Sequence, residues 1–235
     1  MESLQQEKLA SMKELMDNIA HQWRQPLSQI NSIVGIIDNH LHAKGIEDSF
    51  VEEKLQEIEK LTRYMSETID DFKGYFDEDD EKEFFNLHTV LDEACCIVKP
   101  SLAELGIELR VELLYDEKRY FGYGNELKQI VIVLLNNAKD ILQTRNICLG
   151  KIDVRLKEEK GCVVIDVCDN GRGMTQKLMQ KVFEPYFTTK HKSQGTGLGL
   201  YMSQKMIQNR FDGEIKVKNV EDGICFSIYL PKGVC

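Results

Sequence analysis

Two stretches of coiled-coil spacing, cut off by a dense acidic run, constrain this chain more than any other feature. Apolar residues fall at Leu9, Met12, Met16, Ile19 and Trp23, alternating three and four residues apart. The rhythm resumes, offset at Pro26, through Leu27, Ile30, Val34, Ile37 and Leu41. Proline lacks a backbone donor, so a kink is expected there. A second stretch runs Val51, Leu55, Ile58, Thr62, Met65, Ile69, Phe72 and Phe76 at 4-3-4-3 spacing. Such narrow seams belong to coiled coils rather than to helices lying broadly on a sheet. Between them, His40–Phe50 holds one glycine and the helix-start pair Asp48–Ser49, which predicts a hairpin turn. Two such helices cannot bury a core alone, whereas two hairpins make a four-helix bundle. The pattern therefore predicts a homodimer. The competing arrangement, the hairpin packed on its own chain, is disfavoured by how self-contained the later residues look.

Asp77–Glu83 (DEDDEKE) ends the periodicity, and so dense a charge run reads as a solvated linker. The expected organisation is a helical hairpin over 1–76, an acidic linker over 77–83 and a mixed α and β domain over 84–235. In that domain His88–Leu105, Asn125–Gln143 and Leu198–Arg210 read as helices. Ile107–Leu114, Ile152–Lys157, Cys162–Cys168, Ile215–Val220 and Ile224–Leu230 read as strands. Hairpin connections predict an antiparallel sheet covered by helices on one face. The longest apolar run, Ile130–Leu135, is far short of the roughly 20 residues a membrane span needs. The N-terminus lacks the basic and apolar segments of a secretory signal. A net charge of −9 argues against nucleic acid as a partner. Seven cysteines without a C-x-x-C pair predict free thiols in a reducing, cytoplasmic location.

Two glycine clusters point to phosphate chemistry. Asp169-Asn-Gly171-Arg-Gly173-Met ends an apolar strand, where the glycines let backbone approach a flat ligand and Asp169 offers an acceptor to an exocyclic amine. Alone, this pattern is a weak signal that reads first as a plain strand-ending turn. Gly195-Thr196-Gly197-Leu198-Gly199-Leu opens a helical run, exposing N–H groups where the helix dipole favours an anion. It does not follow a strand, so the dinucleotide-binding fold lacks its required context. Phe183–Lys190 (FEPYFTTK) between them suits a lid over a triphosphate, with Lys190 neutralising an outer phosphate. On the helix upstream, Asn137 can give an oxygen to Mg²⁺ and Asp140 lies on the same face. A mid-helix asparagine is more often a local hydrogen-bonder.

LLNNAKD, DNGRGM, FEPYFTTK and GTGLGL, in that order from Leu134 to Leu200, resemble the ATP-binding domain of sensor histidine kinases, whose fold is shared with gyrase, Hsp90 and MutL. The resemblance covers roughly residues 84–232 and implies an α/β sandwich of the Bergerat type that binds Mg²⁺ and ATP. It places Asp169 on adenine with Gly171 and Gly173, Asn137 on the metal, and Gly195, Thr196, Gly197, Leu198 and Gly199 around the phosphates. Val133 departs from the pattern, since these kinases often carry an additional asparagine there.

His21-Gln22-Trp-Arg24-Gln25-Pro26-Leu27 is similar to the phosphoacceptor motif of histidine kinases, commonly H-E-x-x-x-P-L. The heptad independently puts His21 at position f, away from the seam, where a neutral imidazole can act as nucleophile. The resemblance implies an α+β multidomain kinase core, with a dimeric four-helix bundle followed by the ATP-binding sandwich. His21 would be phosphorylated from ATP and would pass phosphate to an aspartate of a response-regulator receiver domain. Gln22 departs from the acidic residue many members place after the histidine; an amide can hydrogen-bond the imidazole but cannot take its proton. Gln25 suits positioning water for dephosphorylating a partner, and Arg24 suits steadying phosphate charge. Input would come from an upstream sensor domain or a separate sensory partner. Two other readings stand beside this one: an ATP-binding regulator acting mainly as response-regulator phosphatase or scaffold, and an ATPase of the same superfamily.

Overall fold

The computed structural model describes residues 2–46, 48–74, 82–113, 119–189 and 197–232, without the side chains of 2–22, 60, 63, 64 and 67–74. The chain divides into two compact units, Met1–Glu78 with Thr188–Thr196, and Asp79–Phe187 with Gly197–Cys235. Most of the acidic segment expected as a linker lies outside the described residues; its last member, Glu83, opens a strand.

The first unit carries helices α1 (Glu2–Ala43) and α2 (Ser49–Gly74). Helix α1 runs unbroken through Pro26. Asp48 starts α2 as its sequence suggests, its carboxylate accepting from the N–H groups of Phe50 at 3.0 Å and Val51 at 3.3 Å. Leu27 and Val34 of α1 and Leu55 and Thr62 of α2 are buried in the seam. The Thr62 hydroxyl donates to the Asn31 side-chain oxygen, a polar pair inside an apolar seam that fixes the register of the two helices.

The second unit is built in the order β1 (Glu83–Asn86), α3 (Leu87–Glu104), β2 (Glu108–Leu113), β3 (Arg119–Gly122), α4 (Gly124–Thr144), β4 (Lys151–Glu159), β5 (Cys162–Asp169), α5 (Gln176–Met179), α6 (Gly199–Phe211), β6 (Glu214–Asn219) and β7 (Ile224–Pro231). Five strands form one sheet in the order β2-β4-β5-β7-β6, while β1 and β3 pair separately. All the expected helices and strands of this unit are present, but the sheet is mixed. Strand β2 runs parallel to β4, because helix α4 intervenes and returns the chain to the same end of the sheet. Strands β1 and β3 went unread in the sequence. Each has four residues, too few for a period to register, and β1 abuts the acidic run.

The sheet's two faces differ sharply. Ile152, Val154 and Leu156 of β4, Val163, Ile165 and Val167 of β5, and Ile228 and Leu230 of β7 are all buried toward the helices. The helices answer with Leu91, Ala94 and Val98 of α3, Leu127, Ile130, Leu134 and Leu135 of α4, and Ile207 of α6. Each fully buried aliphatic side chain contributes about 1.5–3 kcal/mol. The opposite face is a mesh of charge. Lys157 pairs with Asp166 at 2.8 Å, the Ser227 hydroxyl donates to Asp166 at 2.6 Å, and Lys216 pairs with Glu214 at 2.8 Å beneath the Tyr229 ring. Helices thus cover one face, as an α/β sandwich requires. Cys168 and Cys225 oppose each other directly on β5 and β7 and are joined as a disulfide. That corrects the expectation of free thiols throughout. Residues so far apart in the chain become cross-strand neighbours only once β5 and β7 pair.

Candidate nucleotide site

One face of α4 organises the candidate site. Val133, Asn137, Ile141 and Arg145 are spaced by four residues, the interval that stacks side chains along a helix. Three of the four have a partner across the site. A Cβ on Gly199 would stand 3.2 Å from Val133 Cγ1, and a Cβ on Gly171 would stand 2.6 Å from Ile141 Cγ2. Arg145 donates to the carbonyl oxygens of Gly171 and Gly173, the latter at 2.8 Å. Both glycine clusters of the sequence are therefore gathered along a single helix, about 18 Å from Val133 to Arg145 at 1.5 Å per residue. Asn137 lies between them, half-buried, and its side-chain amide makes no hydrogen bond among the described residues. Asp140 is half-buried on the same helix.

At one end of this face, Asp169 closes strand β5 and is buried. Its Oδ1 accepts from the Gly171 N–H at 2.8 Å. Burial raises its carboxyl above the usual carboxylate value, opposed by backbone donors on Gly171 and Ile224 and by the Arg145 charge. Gly171 has no room for a side chain, being wedged between Ile141 and the Asp169 carboxylate.

At the other end, Gly197 and Leu198 lead into α6, which begins at Gly199. Gly197 has φ +67°, and a Cβ there would sit 2.5 Å from the Tyr186 carbonyl carbon, so only glycine fits. Further upstream, Val182 is buried, and Phe183 packs edge-on against Phe226 with ring centroids 6.2 Å apart. Helix α6 runs antiparallel to α4. Gly199 abuts Val133 at one end, and Arg210 at the other pairs with Glu126 at 3.3 Å while stacking over the Tyr123 ring.

Lys190, Gly195 and Thr196 lie outside the described residues. His21 and Gln22 fall within α1, but their side chains lie outside the described residues; Arg24 and Gln25 are exposed on the same helix. The structure thus brings together Asn137, Asp169, Gly171, Gly173 and Gly197–Gly199 within one unit, while the histidine motif belongs to the other. Ile141 and Arg145 were missed in the sequence. Their signal was the continuation of the four-residue step beyond Asn137.

Residues 122–234 match the family described as histidine kinase-, DNA gyrase B-, and HSP90-like ATPase. Relatives across almost the whole chain include a two-component sensor and a sensor histidine kinase. The two-component sensor PprA of Pseudomonas aeruginosa is 29% identical over 95% of this chain and 25% of its own length. The sensor histidine kinase ZraS of Salmonella typhimurium is 31% identical over 96% of this chain and 47% of its own length. The chain therefore spans a quarter to a half of these relatives. Among solved structures, the catalytic domain of histidine kinase ThkA superposes with a TM-score of 0.57 at 29% identity, covering 65% of this chain and 96% of that one. ThkA has also been solved in complex with its response regulator protein TrrA; that chain shares the fold with a TM-score of 0.54 at 22% identity, covering 97% of this chain and 64% of its own.

The tight fit at Gly171 yields a test independent of any ligand. Gly171→Ala should lower stability by about 1–3 kcal/mol through overpacking. The loss should shrink when Ile141→Ala is added, as a double-mutant cycle in urea denaturation will show.

Proposed function

We propose that this chain is the kinase core of a two-component sensor histidine kinase, in which ATP held along α4 phosphorylates His21. The observation that carries the proposal is the four-residue stripe Val133, Asn137, Ile141 and Arg145, which joins an acceptor-bearing turn to a glycine-opened helix N-terminus. Asp169 accepts from the exocyclic amine of adenine. The backbone N–H groups leading into α6 meet the phosphates where the helix dipole favours anions, with Lys190, Gly195 and Thr196 completing that end. Asn137, a hard oxygen donor with its amide uncommitted, suits Mg²⁺, with Asp140 beside it; when bound, the ion neutralises charge on the phosphates.

His21 attacks the γ-phosphorus through a neutral ring nitrogen. A P–N bond forms, the P–O bond to ADP breaks, and the second nitrogen releases its proton. Gln22 orients that nitrogen but cannot accept its proton, which therefore passes to water or to another group. Arg24 steadies the transferring charge, and Gln25 positions water when the partner is dephosphorylated. From His21 the phosphoryl group passes to an aspartate carboxylate on a response-regulator receiver domain, the class of partner found with ThkA. Among the described residues no helix is long and apolar enough to cross a membrane. The proposed setting is the cytoplasm, where ATP and such regulators are found, with input from a sensor domain or sensory partner.

The proposed assembly is a homodimer. Trp23, Ile30 and Ile37 recur every seven residues on α1, as do Ile58 and Met65 on α2, and all are exposed in the single chain. A second hairpin packed on these rows would complete the bundle.

Incubation with Mg²⁺ and γ-labelled ATP should give label that is lost in acid and survives alkali, and His21→Gln should abolish it. Label retained by that variant would remove His21 from the role. Ile30→Glu should convert the dimer to monomer in light scattering at micromolar concentration; an unchanged mass would place the interface elsewhere. Because the folded Asp169 carboxyl lies above its ordinary 3.8, acidification should weaken ATP binding at a higher pH than for an ordinary carboxylate. Stability without nucleotide should run the other way. The folded state holds more protons in that window, so relative to Asp169→Asn it loses stability as pH rises through it.

A further inference from the structure

The turn that follows Asp169 is braced from three sides. Asn170 Oδ1 accepts from the Lys151 N–H at 2.7 Å, and its amide donates to the Leu149 carbonyl at 2.8 Å. Asn219, at the end of β6, takes both backbone groups of Met174, accepting at 2.9 Å and donating at 2.8 Å. These contacts hold the shoulders of the turn. At its centre Arg145 holds the carbonyls of Gly171 and Gly173, the Asp169 carboxylate accepts from the Gly171 N–H, and the Asp222 carbonyl accepts from the Arg172 N–H at 2.8 Å.

Helix α4 delivers Arg145 there by the way it ends. Arg145 is the C-cap residue, its N–H still bonded to the Ile141 carbonyl at 3.0 Å, and the next residue, Asn146, turns to φ 50°. The side chain leaves the helix end toward β5 with its charge beside Asp169. Gly171 is the residue Arg145 grips by its carbonyl, and the same residue's N–H occupies Asp169 Oδ1. The orientation of the carboxylate thus depends on where this peptide is held.

We propose that Arg145 is a positioning residue for recognition of the nucleotide base: by fixing Gly171 and Gly173 it sets the direction in which the Asp169 carboxylate meets an exocyclic amine, and so favours ATP over GTP. The inference rests on the assignment of Asp169 to adenine. Guanine presents a carbonyl where adenine presents its amine, so a carboxylate held in place opposes two acceptors, whereas one free to turn away discriminates less. Arg145 does not touch the nucleotide. Gly171 is buried, but Arg172 is exposed and Gly173 half-buried, so water entering the turn from that side can satisfy the released carbonyls and the fold should survive the loss of Arg145.

The test uses the whole chain with Mg²⁺ and competition of ATP and GTP against a fluorescent trinitrophenyl-ATP probe, comparing wild type, Arg145→Gln and Arg145→Lys. Arg145→Gln should weaken ATP roughly tenfold, the loss expected for a charged hydrogen bond, with GTP unchanged. Discrimination should fall by the same factor. KM for ATP in autophosphorylation should rise with kcat held, the melting temperature without nucleotide should stay at the wild-type value, and Arg145→Lys should recover most of the loss. If Arg145→Gln binds both nucleotides as wild type does, the inference is overturned while the adenine assignment stands. It is overturned equally if ATP and GTP weaken together with a lowered melting temperature, which marks a purely structural role. A wild-type chain that binds no ATP overturns the adenine assignment and this inference with it.

Discussion

The candidate site depends on how closely α4 is approached by two stretches of backbone that carry no side chain at the point of contact. Gly199 sits against Val133 and Gly171 against Ile141, and at Gly171 one added carbon would collide. These contacts turn a helix into a floor of fixed length, with a glycine-opened helix N-terminus at one end and an acceptor-bearing turn at the other. The apolar side of α4, with Leu127, Ile130, Leu134 and Leu135 buried, anchors that floor to the sheet. Core packing and site geometry are therefore set by opposite faces of the same helix.

Asp169 shows the cost of such a site. Its burial raises its carboxyl, and the protein offsets this with two backbone donors and one cation rather than by exposing it to water. Asp166, three residues earlier on β5, points to the opposite face of the sheet and is held by Lys157 and Ser227. Two buried carboxylates on one strand are thus treated differently. Asp166 receives an ammonium and a hydroxyl, which satisfy it as a structural element. Asp169 receives weaker compensation that leaves acceptor capacity for a ligand.

Much of this was legible from the residues. The heptad rows of the first 76 positions gave both helices, and Asp48–Ser49 marked where the second begins. Strand and helix periods located every long element of the second unit, and the ordered glycine motifs pointed to the two stretches that the fold sets against α4. Strands β1 and β3 were too short for a period to emerge. The parallel pairing of β2 with β4 was hidden because local pattern records a strand but not the direction of its neighbour. The Cys168–Cys225 pair was invisible for a related reason: they stand 57 positions apart in the chain, and only the register of β5 on β7 sets them opposite.

Taken alone, the sequence determined the type of each long element and the chemistry each motif carries, because periodicity, capping and glycine placement act over a few neighbouring residues. The tertiary structure decided which motifs meet. It made a continuous stripe of Val133, Asn137, Ile141 and Arg145, and set Gly171 and Gly199 against that stripe. It also aimed Arg145 at a turn 26 residues further along the chain. Those outcomes depend on packing a helix across a sheet, where contact is governed by distance in space, and no local pattern encodes that distance.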